Sequence, residues 1–393
     1  MQATPGRRPE IERNGLPRKL FPALAGNAVV YLNSGGSGPP PRYVLSAMRE
    51  AEDLLCGPAY LEGAGLYAHQ KAANERARRA VAGLVGASPD DIALTQNTTH
   101  GINLGVLSLN WREGDEVLST TTEHPGCLVP LHNLSRRFAV KIRLLSPPMT
   151  PEKIEAALAP RTRLIALSHV DWTSGEVVPL AEICAVARER GVLTLVDGAQ
   201  SVGNIAVDVP ATGADLYAFT GHKWLLGPEG MGALYIRPGL DGEEVFSPNV
   251  GYAALQDPAD FEVTGGYELR GDARRFEAST PSPTLSAGLA AAAEAATERG
   301  AAGIEGIRAR AQRLTDLLLE LPGVRLRSPQ PARSGLVSFE IESLAAKDAV
   351  GRLLETGFVL RYIPEPHPYV RASTHLFNEL DELEALAEAV AKL

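Results

Sequence analysis

The chain has 393 residues, 45% of them apolar and 22% charged, with a formal net charge of −9. That length allows two domains around a large core, and the acidic balance excludes a general nucleic-acid binder, which needs a basic stripe. No run of about 18 apolar residues is present to span a membrane. The opening stretch has arginines and acidic residues but no apolar h-region, so no secretory signal is expected. Three scattered cysteines, Cys56, Cys127 and Cys184, give neither a disulfide framework nor a zinc spacing. A reducing cytoplasm is the expected location.

In chain order, "DDIALTQN" reads as a short strand leading into a helix at "TTHGINLGVLSLNW". "DEVLSTTTEHPG" is a strand and turn ahead of "LVPLHNLSRRF". "RTRLIALSHV", "VLTLVDGAQS" and "ADLYAFTGHKW" are three further strands, the first two separated by the helical "PLAEICAVARERG". Strands alternating with helices over short connections predict a mainly parallel α/β sheet covered on both faces. From about residue 286 the composition turns Ala/Leu/Glu/Arg-rich and helical. "GLVSFEI", a helix from Leu344, "FVLRYI" and a last helix after Asn378 follow as a compact α+β unit. Residues 25–285 are therefore expected to form a large domain. Residues 1–24 and 286–393, an N-terminal arm plus the α+β unit, are expected to form a smaller one.

Two residues stand out at strand ends. Asp197 closes the apolar run Val-Leu-Thr-Leu-Val, and Lys223 closes "ADLYAFTGH" one βαβ-scale step later. Capping a following helix would account for Asp197 alone. A lysine at the end of a core strand is less ordinary, because burial drives it toward the neutral, nucleophilic amine. Active groups of such sheets gather at the carboxyl ends of the strands. An amine and a carboxylate in one crevice suit pyridoxal phosphate (PLP), with Lys223 in Schiff-base linkage and Asp197 keeping the pyridine nitrogen protonated. The surrounding residues extend that reading. Thr98 and Thr99 in "NTTHG" offer hydroxyls at a helix start as a phosphate cradle, and Thr220 and His222 can add contacts. His124 in "TTEHPG" is placed to stack on the ring, and Gln200 can donate to its phenolate oxygen. Each has a plainer account: a helix cap for the threonines, a surface turn for His124, a solvated side chain for Gln200. The glycines of "GPEGMGALYI" precede a strand and lack the G-x-G-x-x-G spacing of a dinucleotide loop.

These segments resemble the fold-type I PLP enzymes of the class V aminotransferase, cysteine desulfurase-like family. "YLNSGGSG", "NTTHGINL", "EHPG", "LSHVDWTSGEVVPLAEI", "VDGAQSVG", "AFTGHKW", "RRFEAST" and "VRASTHLFN" occur in the family's order over nearly the whole chain. The resemblance implies a mainly parallel seven-stranded sheet in the large domain. It implies a homodimer with shared sites, in which Thr280 reaches the neighbouring subunit's phosphate. It also implies that Arg371 holds the substrate α-carboxylate, and it supports Lys223, Asp197, Gln200, His124, Thr98, Thr99, Thr220 and His222 in the roles above.

Within that family the chain departs from the desulfurases. They carry a nucleophilic cysteine ahead of the carboxylate-binding arginine, whereas "LRYIPEPHPYVRAS" has none between Arg361 and Arg371. Cys184 reads as core packing, Cys56 as a helix-end residue, and Cys127 lies near His124 in another segment. The pattern is more similar to the cysteine/cystine C–S lyases, with Trp172, Trp224, "GLVSF" and Arg361. Arg361 is either a second carboxylate contact or a surface ion pair. The expected activity is β-elimination from L-cysteine, L-cystine or a related S-substituted amino acid. The alternatives are an isopenicillin N epimerase-like activity, a desulfurase or aminotransferase, and a catalytically silent binding protein of the same fold.

Overall fold

The computed structural model describes residues 15–26, 28–58, 65–240 and 244–393. Of the expected N-terminal arm, residues 1–14 lie outside the described residues. Among the described residues, a 3-10 turn at Arg18–Leu20 is followed by the short strand β1 (Val30–Tyr31) and the helices α1 (Arg42–Cys56) and α2 (Gly65–Leu84). Strand–helix units follow: β2 (Ile92–Thr95) with α3 (Thr98–Leu107), β3 (Glu116–Thr120) with α4 (Pro125–Phe138), and β4 (Lys141–Leu145) with α5 (Pro151–Ala157). Next come β5 (Thr162–Ser168) with α6 (Leu180–Glu189), β6 (Leu193–Asp197) with α7 (Val209–Thr212), and then β7 (Leu216–Thr220) and β8 (Gly232–Ile236). After α8 (Pro283–Leu319) the chain forms β9 (Val324–Leu326), β10 (Leu336–Ile341), α9 (Ala346–Glu355), β11 (Phe358–Val359), β12 (Arg361–Ile363), β13 (Tyr369–Ser373) and α10 (Leu380–Val390).

The seven-stranded sheet has the order β2-β8-β7-β6-β5-β3-β4. Neighbours from β7 through β4 run parallel, while β8 is antiparallel to both β7 and β2. This is the predicted sheet. Residues of β6 and β7 are buried along their whole length, which is why they read as near-continuous apolar runs rather than alternating ones. One face packs on α3 and α4 through Ile102, Leu131 and Leu134. The other packs on α2, α6 and α8 through Val81, Ile183 and Leu289. Each fully buried side chain of this kind contributes roughly 1.5–3 kcal/mol.

Helix α8 serves both sheets. Leu289 and Ala293 join the large core, and after a break at Gly300 (φ 51°, ψ −142°) Ala311, Leu314 and Leu318 join the core of the antiparallel sheet β12-β13-β10-β9. That positive φ is open to glycine at little cost. The N-terminal Leu16, Leu20, Phe21 and Leu24 pack with Trp224, Ile307 and Phe377, so both ends of the chain close over the segment that follows β7.

Candidate active site

At the carboxyl ends of the parallel strands lies a cavity of about 570 Å³. All the expected site residues line it except Thr280. Lys223 follows β7 by three residues and is fixed through its backbone. Gly38 N–H donates to His222 O (2.7 Å), and a Cβ on Gly38 would lie 2.3 Å from Lys223 O, so only glycine permits this approach. The turn then passes through Leu226, a buried residue held at φ 60°, a left-handed conformation that costs roughly 1–2 kcal/mol. Burial pulls the Lys223 amine down to about 8, with Arg371 and Arg361 adding to the effect and Asp197 opposing it.

Asp197 ends β6 in register with Ser168 of β5. Its Oδ1 accepts from Ala199 N–H (2.9 Å) in a turn, and no helix begins there for it to cap. Burial raises its pKa, while Lys223 and the Ala199 amide oppose the rise. Gln200 is buried rather than solvated. Its orientation follows from its neighbours: the Trp224 indole N–H, which can only donate, meets Oε1 (2.8 Å), and Nε2 donates to Gly35 O (2.8 Å). One amide hydrogen is left for the pocket.

At the opposite end, Asn97 rather than either threonine caps α3, its Oδ1 accepting from His100 N–H (2.9 Å). Thr98 and Thr99 therefore sit in the first helical turn with free hydroxyls to offer, and the buried Thr98 Oγ1 has no partner. Thr220 Oγ1 and His222 Nδ1 are paired at 2.7 Å beside them. Hydroxyls, an imidazole and a helix N-terminus converging on one point are a site for a phosphate group. His124 caps α4, its Nδ1 accepting from Gly126 N–H (3.0 Å). Burial, reinforced by Lys223, Arg371 and Arg361, pushes its pKa down to about 4, so the ring is neutral with its proton on Nε2.

Arg371 is 1% exposed and its Nη1 donates to Trp172 O (2.7 Å), while its buried Nε has no partner among the described residues. Burial lowers its pKa to about 9, and Arg361 deepens the shift. Arg361 stands directly opposite Arg371 in the β12–β13 register and lines the same cavity. No carboxylate stands within salt-bridge distance of Arg361 among the described residues. Trp172 donates from Nε1 to Thr122 O (2.8 Å) and meets the His124 ring edge-on at 4.9 Å.

Thr280 lies apart from this pocket, exposed and bonded to Tyr252 Oη (2.5 Å). Four residues in and around the site carried no assigned role in the sequence. Asn33 lines the pocket with a buried Oδ1 that has no partner, and Ser168 lines it at the end of β5. Beneath Ser168, Glu123 accepts from Ser168 N–H (2.8 Å) and Oγ (2.5 Å) and from Thr120 Oγ1 (3.3 Å). Asp171 organises the β5–α6 loop by accepting from the amides of Thr173 and Ser174 and from Thr122 Oγ1. Glu123 and Asp171 fall inside the motif segments "EHPG" and "LSHVDWTSGEVVPLAEI", which is the one signal the sequence held for them.

The residues present fit PLP. A carboxylate stands at one end, a phosphate-type cradle with an orphaned hydroxyl at the other, and an amine of lowered pKa between them. The protein described as "Probable cysteine desulfurase" from Methanothermobacter thermautotrophicus (strain Delta H) is 32% identical, the match covering 93% of this chain and 94% of that one. A structure of a C-DES variant with glycine covalently linked to its PLP cofactor matches with a TM-score of 0.87 at 32% identity, covering 96% of this chain and 99% of that one. A second, of the cystine C–S lyase C-DES with its product cysteine persulfide, also reaches 0.87 at 32% identity, covering 95% and 99%. The aminotransferase class-V family model matches residues 30–386, and the chain belongs to that family.

Proposed function

We propose that the chain is a PLP-dependent C–S lyase that performs β-elimination on L-cystine, L-cysteine or a related S-substituted amino acid. Bound PLP supplies an electron sink for the negative charge formed at the substrate Cα. Lys223 would carry the cofactor, Asp197 would hold its ring nitrogen protonated, and Gln200 would use its remaining amide hydrogen on the phenolate oxygen. Thr98, Thr99, Thr220 and His222 would take the phosphate, with neutral His124 over the ring face. The unpartnered Arg371 Nε and the facing Arg361 are donors for the substrate carboxylate. Lys223 Nζ, its pKa as the free amine lowered to about 8, would take the α-proton. The C–S bond then breaks, and sulfur leaves with the bonding pair as thiolate or persulfide. Water completes the reaction: L-cystine gives pyruvate, ammonia and cysteine persulfide, and L-cysteine gives pyruvate, ammonia and hydrogen sulfide.

The observation that carries this choice over sulfur transfer to the enzyme is the absence of a thiol at the pocket. No cysteine lines it. Cys127 is buried, and burial together with Glu123 and Asp197 pushes its thiol well above the ordinary range. Residues 364–368, which join β12 to β13, contain no cysteine. We also infer a cytoplasmic homodimer, in which Thr280 serves the neighbouring site. Tyr252, bonded to Thr280, shares a shallow apolar depression with Phe261 and Tyr267, and the three are 57%, 52% and 51% exposed, a patch suited to a second copy. No helix of the described residues is long and apolar enough to cross a membrane.

The test is to incubate the PLP-loaded protein with L-cystine and L-cysteine and measure pyruvate and sulfide. Both are expected to form, with Lys223→Ala losing the cofactor's visible band and all turnover. Alanine in place of pyruvate would indicate desulfuration, and an epimerised amino acid with no sulfur release would indicate the epimerase reaction. A protein that cannot be loaded with PLP would leave only the silent binding role.

A further inference from the structure

A second cavity, of about 260 Å³, opens where α8 breaks at Gly300. Its walls are the end of α2 (Gly83, Leu84), the segment after β6 (Val202, Ile205) and the side of α8 (Ala296, Ile304). They are mainly apolar, and among the described residues no acidic one lines the cavity. One cation does: Arg299, at 6% exposure. Its single hydrogen bond among the described residues is a long one, from Nη1 to Tyr43 Oη (3.4 Å), and no carboxylate is recorded within salt-bridge distance. The other polar groups at the wall are already used. Thr297 Oγ1 donates to Ala293 O (3.0 Å), and His375 bonds Trp224 O and Leu376 N–H with its two ring nitrogens.

A guanidinium largely withdrawn from water is costly without an anion beside it, and among the described residues no carboxylate stands there. We propose that this crevice is a second ligand site, built for a compact apolar molecule carrying one carboxylate, which Arg299 binds while the α8 and β6-side walls enclose the rest. At about 260 Å³ the cavity lies at the small end of ligand pockets and suits a compact molecule such as a branched six-carbon acid. The site lies outside the cofactor pocket but shares a wall with it. Gln200 faces the pocket and Val202 and Gly203 face the crevice within one turn of chain.

The experiment is calorimetric titration of the PLP-loaded protein with 4-methylpentanoate, with 4-methylpentanamide as the uncharged control. Saturable binding of the acid is expected at about 0.1–1 mM. It should persist in Arg371→Met, weaken by about tenfold or more in Arg299→Met, and be about as weak for the amide. Ala301→Trp, at the exposed mouth, keeps Arg299 but blocks the entrance, and should also abolish binding, which covers the case in which Arg299→Met does not fold. No saturable heat up to about 10 mM would overturn the proposal. So would binding that survives Arg299→Met or Ala301→Trp, and so would loss in Arg371→Met alone, which would place the acid in the active site.

Discussion

Glu123 has its carboxyl oxygens occupied by Ser168 and Thr120, and no cation is recorded against it among the described residues. The titratable groups that face it are Asp197, Asp171 and Cys127. Burial, strengthened by the two aspartates and opposed by the Ser168 donors, pushes its pKa from 4.5 up to about 8. Between those values the folded protein holds a proton that the unfolded chain has released. Stability therefore falls as pH rises through that window. Glu123→Gln keeps the shape of the protonated form and can still accept from Ser168 N–H. It should gain on the order of 1 kcal/mol over the native protein at about pH 8 and little at about pH 5, as read by urea denaturation at both. An equal effect at the two pH values would mean that Glu123 does not titrate in the fold.

At the scale of elements, the β12–β13 hairpin places Arg361 and Arg371 on directly opposite positions. Like charges so placed oppose each other unless an anion lies between them. Arg371→Met should raise KM for L-cystine by about tenfold or more with a smaller change in kcat, and Arg361→Met, at the more exposed position, should do less. A kcat loss without a KM change would remove both from carboxylate binding. The strands that carry the site were readable because parallel strands buried on both faces write continuous apolar runs. Asp197 and Lys223 interrupt two of those runs where they end. Glu123, Ser168 and Asp171 lie inside quoted motif segments, but their roles were not readable, since the bonds from Ser168 to Glu123 and from Thr122 to Asp171 span more than forty residues. The orientation of Gln200 depends on an indole twenty-four residues away, and Asn33, although inside the motif "YLNSGGSG", carries no local mark of the pocket role it takes. Thr280 was readable by motif, yet within one chain it meets Tyr252 rather than the pocket.

For the whole molecule, the exposed patch of Tyr252, Phe261 and Tyr267, the exposed Val263 two residues beyond Phe261, and the separation of Thr280 from the pocket lead to one joint expectation. Phe261→Asp combined with Val263→Asp should convert a dimer to monomers in sedimentation and weaken PLP binding by about tenfold or more. A monomer that holds PLP undiminished would show that Thr280 serves no neighbouring site. Another consequence concerns when the pocket comes into being. The lysine segment is tied to Gly38 on one side, through His222 O, and to His375 on the other, through a bond to Trp224 O that spans 151 residues. Both ties close very long loops, whose entropy must be met before the contacts return anything. The seven-stranded sheet can thus assemble while the lysine's cradle is still open. Recovery of PLP binding during refolding should trail recovery of secondary structure and mark the arrival of the chain's two ends.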